Sequence, residues 1–145
     1  MLPPSERLFQ IEDGLWQGAR PELYPPEGID VVINVADMPN DLVRGHGLFG
    51  VLHFPLVDNA FPGVEWLESV LGIIEACRSQ GRTVLVHCDM GESRSSLVVV
   101  AYLMKYRGMP MTEALLYVQR RNPYADPNHR FLAGLEQYEA ALRQR

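Results

Sequence analysis

Apolar positions fall into short runs in the first third of the chain and into helical spacings beyond residue 64. Residues 7–11 and 15–19 are two short runs flanking Glu12-Asp13-Gly14, and Asp-Gly between such runs predicts a β-hairpin. The stretch "VVINVA", residues 31–36, is brief and β-branched, as a buried strand is. "VLHFPLV", residues 51–57, predicts another strand, and its Pro55 assigns it to an edge or a bulge. Over residues 64–78, Leu67, Val70, Leu71, Ile74 and Cys77 share one face of a helix, with Gly81 as its stop signal. "TVLVH", residues 83–87, is the next strand. Residues 95–107 contain "LVVVAYLM", apolar on nearly all sides, which predicts a helix at the centre of the fold, ended by Gly108 and Pro110. Residues 112–121 and 128–143 predict two further helices.

A hairpin followed by β, β, α, β, α and two more helices implies an α/β fold. Its central sheet is mostly parallel, of about five strands, with helices on both faces. Ligands in such sheets bind beyond the carboxyl ends of the strands, where residue 88 falls. With 145 residues and 47% hydrophobic content, residues 1–145 read as one domain. The net charge of −5 argues against nucleic acid as a partner. No apolar run is long enough for a membrane span, and the first residues lack the pattern of a signal peptide. Two cysteines, Cys77 and Cys88, make no disulfide framework, so the expected setting is the cytoplasm, with a monomer as the default state.

The candidate chemistry lies in "VLVHCDMGESRSSL", residues 85–98, where a strand passes through a glycine-containing loop into the central helix. Loop N–H groups that turn inward form an anion-binding nest, and the helix dipole adds positive character at its first turn. Gly91 suits a loop that needs positive φ. A thiol at Cys88 is expected to ionise easily there, and Arg94 offers a planar fork to phosphoryl oxygens. Ser95 or Ser93 brings a hydroxyl near the sulfur. A nucleophile at the base of a cradle for a tetrahedral dianion reads as phosphoryl transfer through a cysteinyl-phosphate. The leaving oxygen then needs an acid, and Asp58, at the end of "VLHFPLV", is the candidate if that strand runs parallel to "TVLVH".

"HCDMGESRS" matches His-Cys-x-x-Gly-x-x-Arg-Ser, and the chain resembles the dual-specificity branch of the cysteine-dependent protein tyrosine phosphatases. "LWQGARPE", "VVINVA" and "RRNPYADPNHRFLAGLEQYE" resemble that family's flanking segments in the same order, so the likeness runs from about Leu8 to about Glu139. The resemblance implies Cys88 as nucleophile, Arg94 as the phosphoryl-binding group and Asp58 as acid and then base. It implies that Ser95 stabilises the thiolate, that His87 supports the loop, and that the backbone of Asp89, Met90, Gly91, Glu92 and Ser93 binds phosphate oxygens. No cofactor and no metal is implied. The implied partner is a phosphorylated protein, with phosphotyrosine hydrolysed and phosphoserine or phosphothreonine accepted as well.

Several features depart from the family pattern or compete with this reading. Met90 stands where relatives often carry a small residue, Asp89 and Glu92 make the loop acidic, and His129-Arg130 replaces a common glycine. The acidic side chains are expected to point outward. Cys77 reads as a core residue, with a redox partnership to Cys88 as the minor alternative. "GHGLFG", residues 45–50, fits a dinucleotide fingerprint but lacks the strand before it and the helix after it. Phosphoinositide, phosphoglucan and RNA 5′-phosphate are the other substrates open to the same chemistry. Sulfur transfer and an inactive phospho-binding module are the readings outside it.

Overall fold

In a computed structural model, residues 1–22, 26–40 and 50–145 are described. Five strands form one sheet: β1 (Leu8–Glu12), β2 (Leu15–Gly18), β3 (Val31–Asn34), β4 (Gly50–His53) and β5 (Val84–His87). Their spatial order is β1-β2-β5-β3-β4. Among the described residues, only the β1–β2 hairpin is antiparallel, and β2–β5, β5–β3 and β3–β4 all pair in parallel. The helices are α1 (Val64–Ser79), α2 (Arg94–Tyr106), α3 (Met111–Arg121) and α4 (His129–Arg143). A short 3-10 turn, Pro4–Glu6, precedes β1.

The larger core joins one face of the sheet (Ile11, Leu15, Val31, Ile33, Val84, Val86) to buried residues of all four helices. Of the flanking layers expected on the two faces, the described helices build this one. The opposite face carries a smaller cluster of Ile29, Val32 and Leu85, edged by Leu8, Trp16 and Val51. Helix α2 is buried along its length from Arg94 to Met104, as its all-round apolar sequence requires.

Two strand boundaries differ from the sequence expectation. β3 stops at Asn34 and β4 at His53. Phe54 still donates its N–H to the Asn34 carbonyl at 2.9 Å, but Pro55 has no N–H to continue a ladder. Asp58 therefore does not end a strand; it sits in a turn beyond an irregular segment. β4 does lie at the sheet edge, and its parallel run through β3 to β5 brings Asp58 to the same end of the sheet as Cys88. Of the glycine run at residues 45–50, residues 45–49 lie outside the described residues, and Gly50 opens β4.

Cys77 packs against the main core and lines a small cavity with Val31 and Gly50, at the starts of β3 and β4. Cys88 follows the far end of β5. At roughly 3.3 Å per strand residue, that places the thiols at opposite ends of the sheet, beyond the reach of a disulfide.

Candidate active site

The loop from Cys88 to Ser93 joins β5 to α2, and the direction of its peptide groups decides what it can hold. Its carbonyls are tied from outside. The Cys88 carbonyl accepts from His87 Nδ1 at 3.0 Å. The Asp89 carbonyl accepts from the Arg20 N–H at 3.1 Å and the Met90 carbonyl from Arg7 Nη1 at 3.0 Å. The Gly91 carbonyl accepts from Asn122 Nδ2 at 3.0 Å. The Glu92 carbonyl accepts from Asp126 N–H at 2.7 Å, and that of Ser93 from Leu97 N–H at 3.0 Å. With the oxygens held away, the N–H groups of Asp89 to Ser93 donate to no partner among the described residues. That is the arrangement of a nest for an anion, at the N-terminus of a buried helix.

Gly91 makes the turn possible, with φ 71°. A Cβ at Gly91 would also lie 2.8 Å from the Ala19 nitrogen, so strand β2 seats directly against the loop. Cys88 is 2% exposed, and its Sγ lies 3.2 Å from Ser95 Oγ. Ser93 occupies the N-cap position of α2 but makes no capping bond; its hydroxyl accepts from the Asn128 N–H at 3.0 Å.

Arg94, the first residue of α2, is 8% exposed and surrounded by carboxylates. Its Nη1 donates to Asp37 Oδ1 at 3.2 Å and to the Leu56 carbonyl at 3.3 Å, and its Nη2 to Asp89 Oδ2 at 3.2 Å. Its buried Nε bonds to no described group, and Asp58 Oδ1 stands 4.0 Å from it. Burial alone would lower the guanidinium's pKa, but the Cys88 sulfur, Asp37, Asp58 and Asp89 together raise it.

The two acidic loop residues behave differently. Glu92 turns away from the loop to Arg7 at 2.9 Å, as expected of an outward side chain. Asp89 does not stand free in solvent. It bridges Arg20, 3.0 Å from one oxygen, and Arg94, 3.2 Å from the other. Burial would raise its carboxyl pKa, but the two guanidiniums hold it below the ordinary value. Met90 remains at the loop surface, 46% exposed.

His87 is fully buried, and its tautomer follows from a chain of amides. The Ala36 N–H donates to Asn34 Oδ1 at 2.8 Å, so Asn34 Nδ2 donates to Asn40 Oδ1 at 3.0 Å. Asn40 Nδ2 then faces His87 Nε2 at 3.1 Å, which makes Nε2 the acceptor and Nδ1 the protonated nitrogen that holds the Cys88 carbonyl. Burial brings the imidazole down to about 4, with Arg20 and His53 acting in the same direction and the Cys88 carbonyl and Asp89 opposing them. In the unfolded chain the group titrates near 6.5. Between those values the unfolded state binds a proton that the folded state refuses, so stability rises with pH through that window and levels off above it. At roughly 1.4 kcal/mol per pH unit, this group is expected to contribute about 3 kcal/mol to the rise. Urea unfolding from pH 4 to 7 measures it as the difference between wild type and His87→Gln, and equal slopes would reject it.

Sequence reasoning named the loop and Asp58 but missed the residues that fix them. Arg7, Arg20 and Asn122 hold the loop carbonyls, and Asp37 adds a second exposed carboxylate at Arg94. Asn128 caps α4 by accepting from Phe131 N–H at 2.9 Å, and its side-chain amide donates to the Asp58 carbonyl. One signal was available: Gln17 stands in a core-facing register of β2, two residues after Leu15.

The family model for "Dual specificity phosphatase, catalytic domain" matches residues 16–141. The chain is 37% identical over 117 residues to human "Dual specificity protein phosphatase 2", covering 79% of this chain and 36% of that protein. It is 34% identical over 145 residues to the Arabidopsis thaliana "Protein-tyrosine-phosphatase IBR5", covering 96% of this chain and 52% of that one. The chain thus spans about a third to a half of these relatives. Among solved structures, a mouse putative dual specificity phosphatase complexed with zinc tungstate superposes with a TM-score of 0.84 at 31% identity, over 99% of this chain and 91% of that one. Human DUSP28 gives 0.80 at 30% identity, over 99% and 97%. The chain belongs to the dual specificity phosphatase family.

Proposed function

We propose that this domain hydrolyses phosphomonoesters through a cysteinyl-phosphate on Cys88, and that its substrates are phosphorylated proteins. The observation that carries the reading is the loop itself. Its carbonyls are bound from outside, its N–H groups are unspent among the described residues, and a cysteine sulfur lies at its start.

The placement of the side chains supports one role for each. The Cys88 sulfur attacks phosphorus while the loop N–H groups and the Arg94 Nε–H bind the phosphoryl oxygens. Asp58 protonates the departing oxygen. A water then attacks, Asp58 takes its proton, and sulfur leaves as thiolate toward the Ser95 hydroxyl. Substrate binding draws Arg94 from Asp37 or Asp89, since a phosphoryl dianion that takes the Nε–H together with one Nη–H competes with those carboxylates for the second donor.

The protein substrate rests on the relatives, which are named protein phosphatases and a protein-tyrosine-phosphatase. It also rests on charge. The carboxylates of Asp37 and Asp58 are 59% and 55% exposed beside Arg94 and oppose a polyphosphorylated ligand. Both cysteines are free thiols, which suits the reducing cytoplasm. Among the described residues, no helix is long and apolar enough to cross a membrane.

The test is a panel of phosphotyrosine peptide, phosphoserine peptide, phosphoinositide and 5′-triphosphate RNA. The expected result is the highest kcat/KM on phosphotyrosine peptide, measurable turnover of phosphoserine peptide, and inhibition by vanadate. A higher kcat/KM on phosphoinositide or RNA than on either peptide would overturn the protein assignment.

A further inference from the structure

Burying a glutamine in a core-facing register is costly unless its polar atoms are bonded. Gln17 is 0% exposed, as are Asn122, Ser95 and Ser96 around it. The directions of their hydrogen bonds are fixed from one end. The Tyr124 backbone N–H donates to Asn122 Oδ1 at 2.9 Å. Asn122 Nδ2 therefore donates to the Gly91 carbonyl and to Gln17 Oε1, both at 3.0 Å. With Oε1 the acceptor, Gln17 Nε2 directs its N–H groups to Ser95 Oγ at 2.9 Å and Ser96 Oγ at 2.8 Å.

A serine hydroxyl has one hydrogen to place. Gln17 already points an N–H at the Ser95 oxygen, so that hydrogen goes elsewhere. A helical serine commonly returns it to the carbonyl four residues back, which here is Gly91. That carbonyl accepts from Asn122 at 3.0 Å, and among the described residues the Ser95 hydroxyl makes no bond to it. The acceptor left to Ser95 is Cys88 Sγ at 3.2 Å.

We infer that Gln17 is a positioning residue: together with Asn122 it aims the Ser95 hydroxyl at the Cys88 sulfur and so speeds release of phosphate from the cysteinyl intermediate. The inference rests on the cysteinyl-phosphate reading above. In the release step the water oxygen bonds to phosphorus and the water proton passes to Asp58. The P–S bond breaks and its electron pair goes to sulfur. The Ser95 hydrogen meets the charge that appears there. It does not help sulfur attack, because the same bond must weaken as the S–P bond forms. Loss of the aimed hydroxyl therefore slows the second step and spares the first.

Gln17→Met keeps the volume and removes the N–H donors. With p-nitrophenyl phosphate, kcat is expected to fall roughly tenfold, the scale of one hydrogen bond to a charged group, while kcat/KM changes less than about twofold. A burst of nitrophenol equal to the enzyme should precede the slow phase. In a Ser95→Ala background, Gln17→Met should cost nothing further. The inference is overturned if kcat and kcat/KM fall together without a burst, or if the loss of kcat is the same with Ser95 absent. Should Gln17→Met not fold, Gln17→Leu, which removes the same donors with a shorter side chain and leaves the Asn122 bond to the Gly91 carbonyl in place, carries the same two outcomes. Wild-type enzyme and Cys88→Ser separate the layers. A burst that survives Cys88→Ser fails the cysteinyl-phosphate reading. A wild-type phosphoenzyme whose release is unchanged by either variant fails only the role of Gln17.

Discussion

Cys88→Ser is expected to abolish turnover of aryl phosphates and phosphopeptides, a fall of at least about 10⁴-fold, in line with removal of other covalent nucleophiles. The substitution exchanges sulfur for oxygen and touches little else. The Cys88 carbonyl stays with His87, the Cys88 N–H stays near the Gly18 carbonyl at 3.4 Å, and the remaining loop carbonyls are held by Arg20, Arg7, Asn122, Asp126 and Leu97. The nest should survive, so the variant should bind phosphopeptide with a Kd near the wild-type value while failing to turn it over. An alkoxide is far less accessible than a thiolate at neutral pH, and it is a much poorer leaving group from phosphorus. Steady-state rates, phosphopeptide binding and intact-protein mass after substrate addition measure the three parts. Activity above about one per cent of wild type in Cys88→Ser would sink the covalent mechanism.

The contrast between what was legible in the sequence and what was not follows the range of the interactions. The parallel sheet, the all-buried α2 and the loop between β5 and α2 are written in local patterns: β-branched runs, helical spacing, and one glycine before a helix start. Arg94 and Gly91 could be placed because both act within six residues of Cys88. The strand limits at Asn34 and His53 were less legible, since a ladder ends where its partner ends, and only Pro55 marks one of them in sequence.

The residues that hold the loop act over much longer separations. Arg7 reaches Met90, and Gln17 meets Asn122. Nothing in a local window distinguishes Asn122 from an ordinary residue before a proline. Asp89 shows the same limit from the other side. As a lone acidic loop residue it should face water unpaired; its side chain stays 41% exposed but is held by two guanidiniums from different parts of the chain, Arg20 and Arg94, that converge on it. Gln17 alone left a trace, as a polar residue on a face that otherwise enters the core. Its meaning depended on α2 and the segment after α3 arriving beside it.

Asp58→Asn should produce a loss that depends on the leaving group. A general acid typically contributes 10²–10⁴-fold, and its contribution vanishes when the departing oxygen needs no proton. For phosphoserine peptide, kcat/KM should fall about 10²-fold or more; for p-nitrophenyl phosphate it should fall less than about tenfold. Geometry makes the comparison with Asp37 decisive, because both carboxylates approach Arg94, Asp37 at 3.2 Å and Asp58 at 4.0 Å. Proximity to the guanidinium favours Asp37, whereas anchoring favours Asp58. The Asp58 carbonyl is held by Asn128, whose own side chain caps α4, and Phe61 of the same loop packs where any Cβ at Gly134 would overlap its ring. Those two tethers hold the Asp58 segment against α4, while Asn128 also meets Ser93 through its backbone N–H. An acid must keep its place relative to the loop through two chemical steps, and the two tethers are the reason Asp58 is proposed for it. Asp37→Asn should leave the leaving-group dependence unchanged and act on phosphate affinity by freeing Arg94. If the steep dependence appears in Asp37→Asn and not in Asp58→Asn, the acid is Asp37 and the tethers serve only the fold.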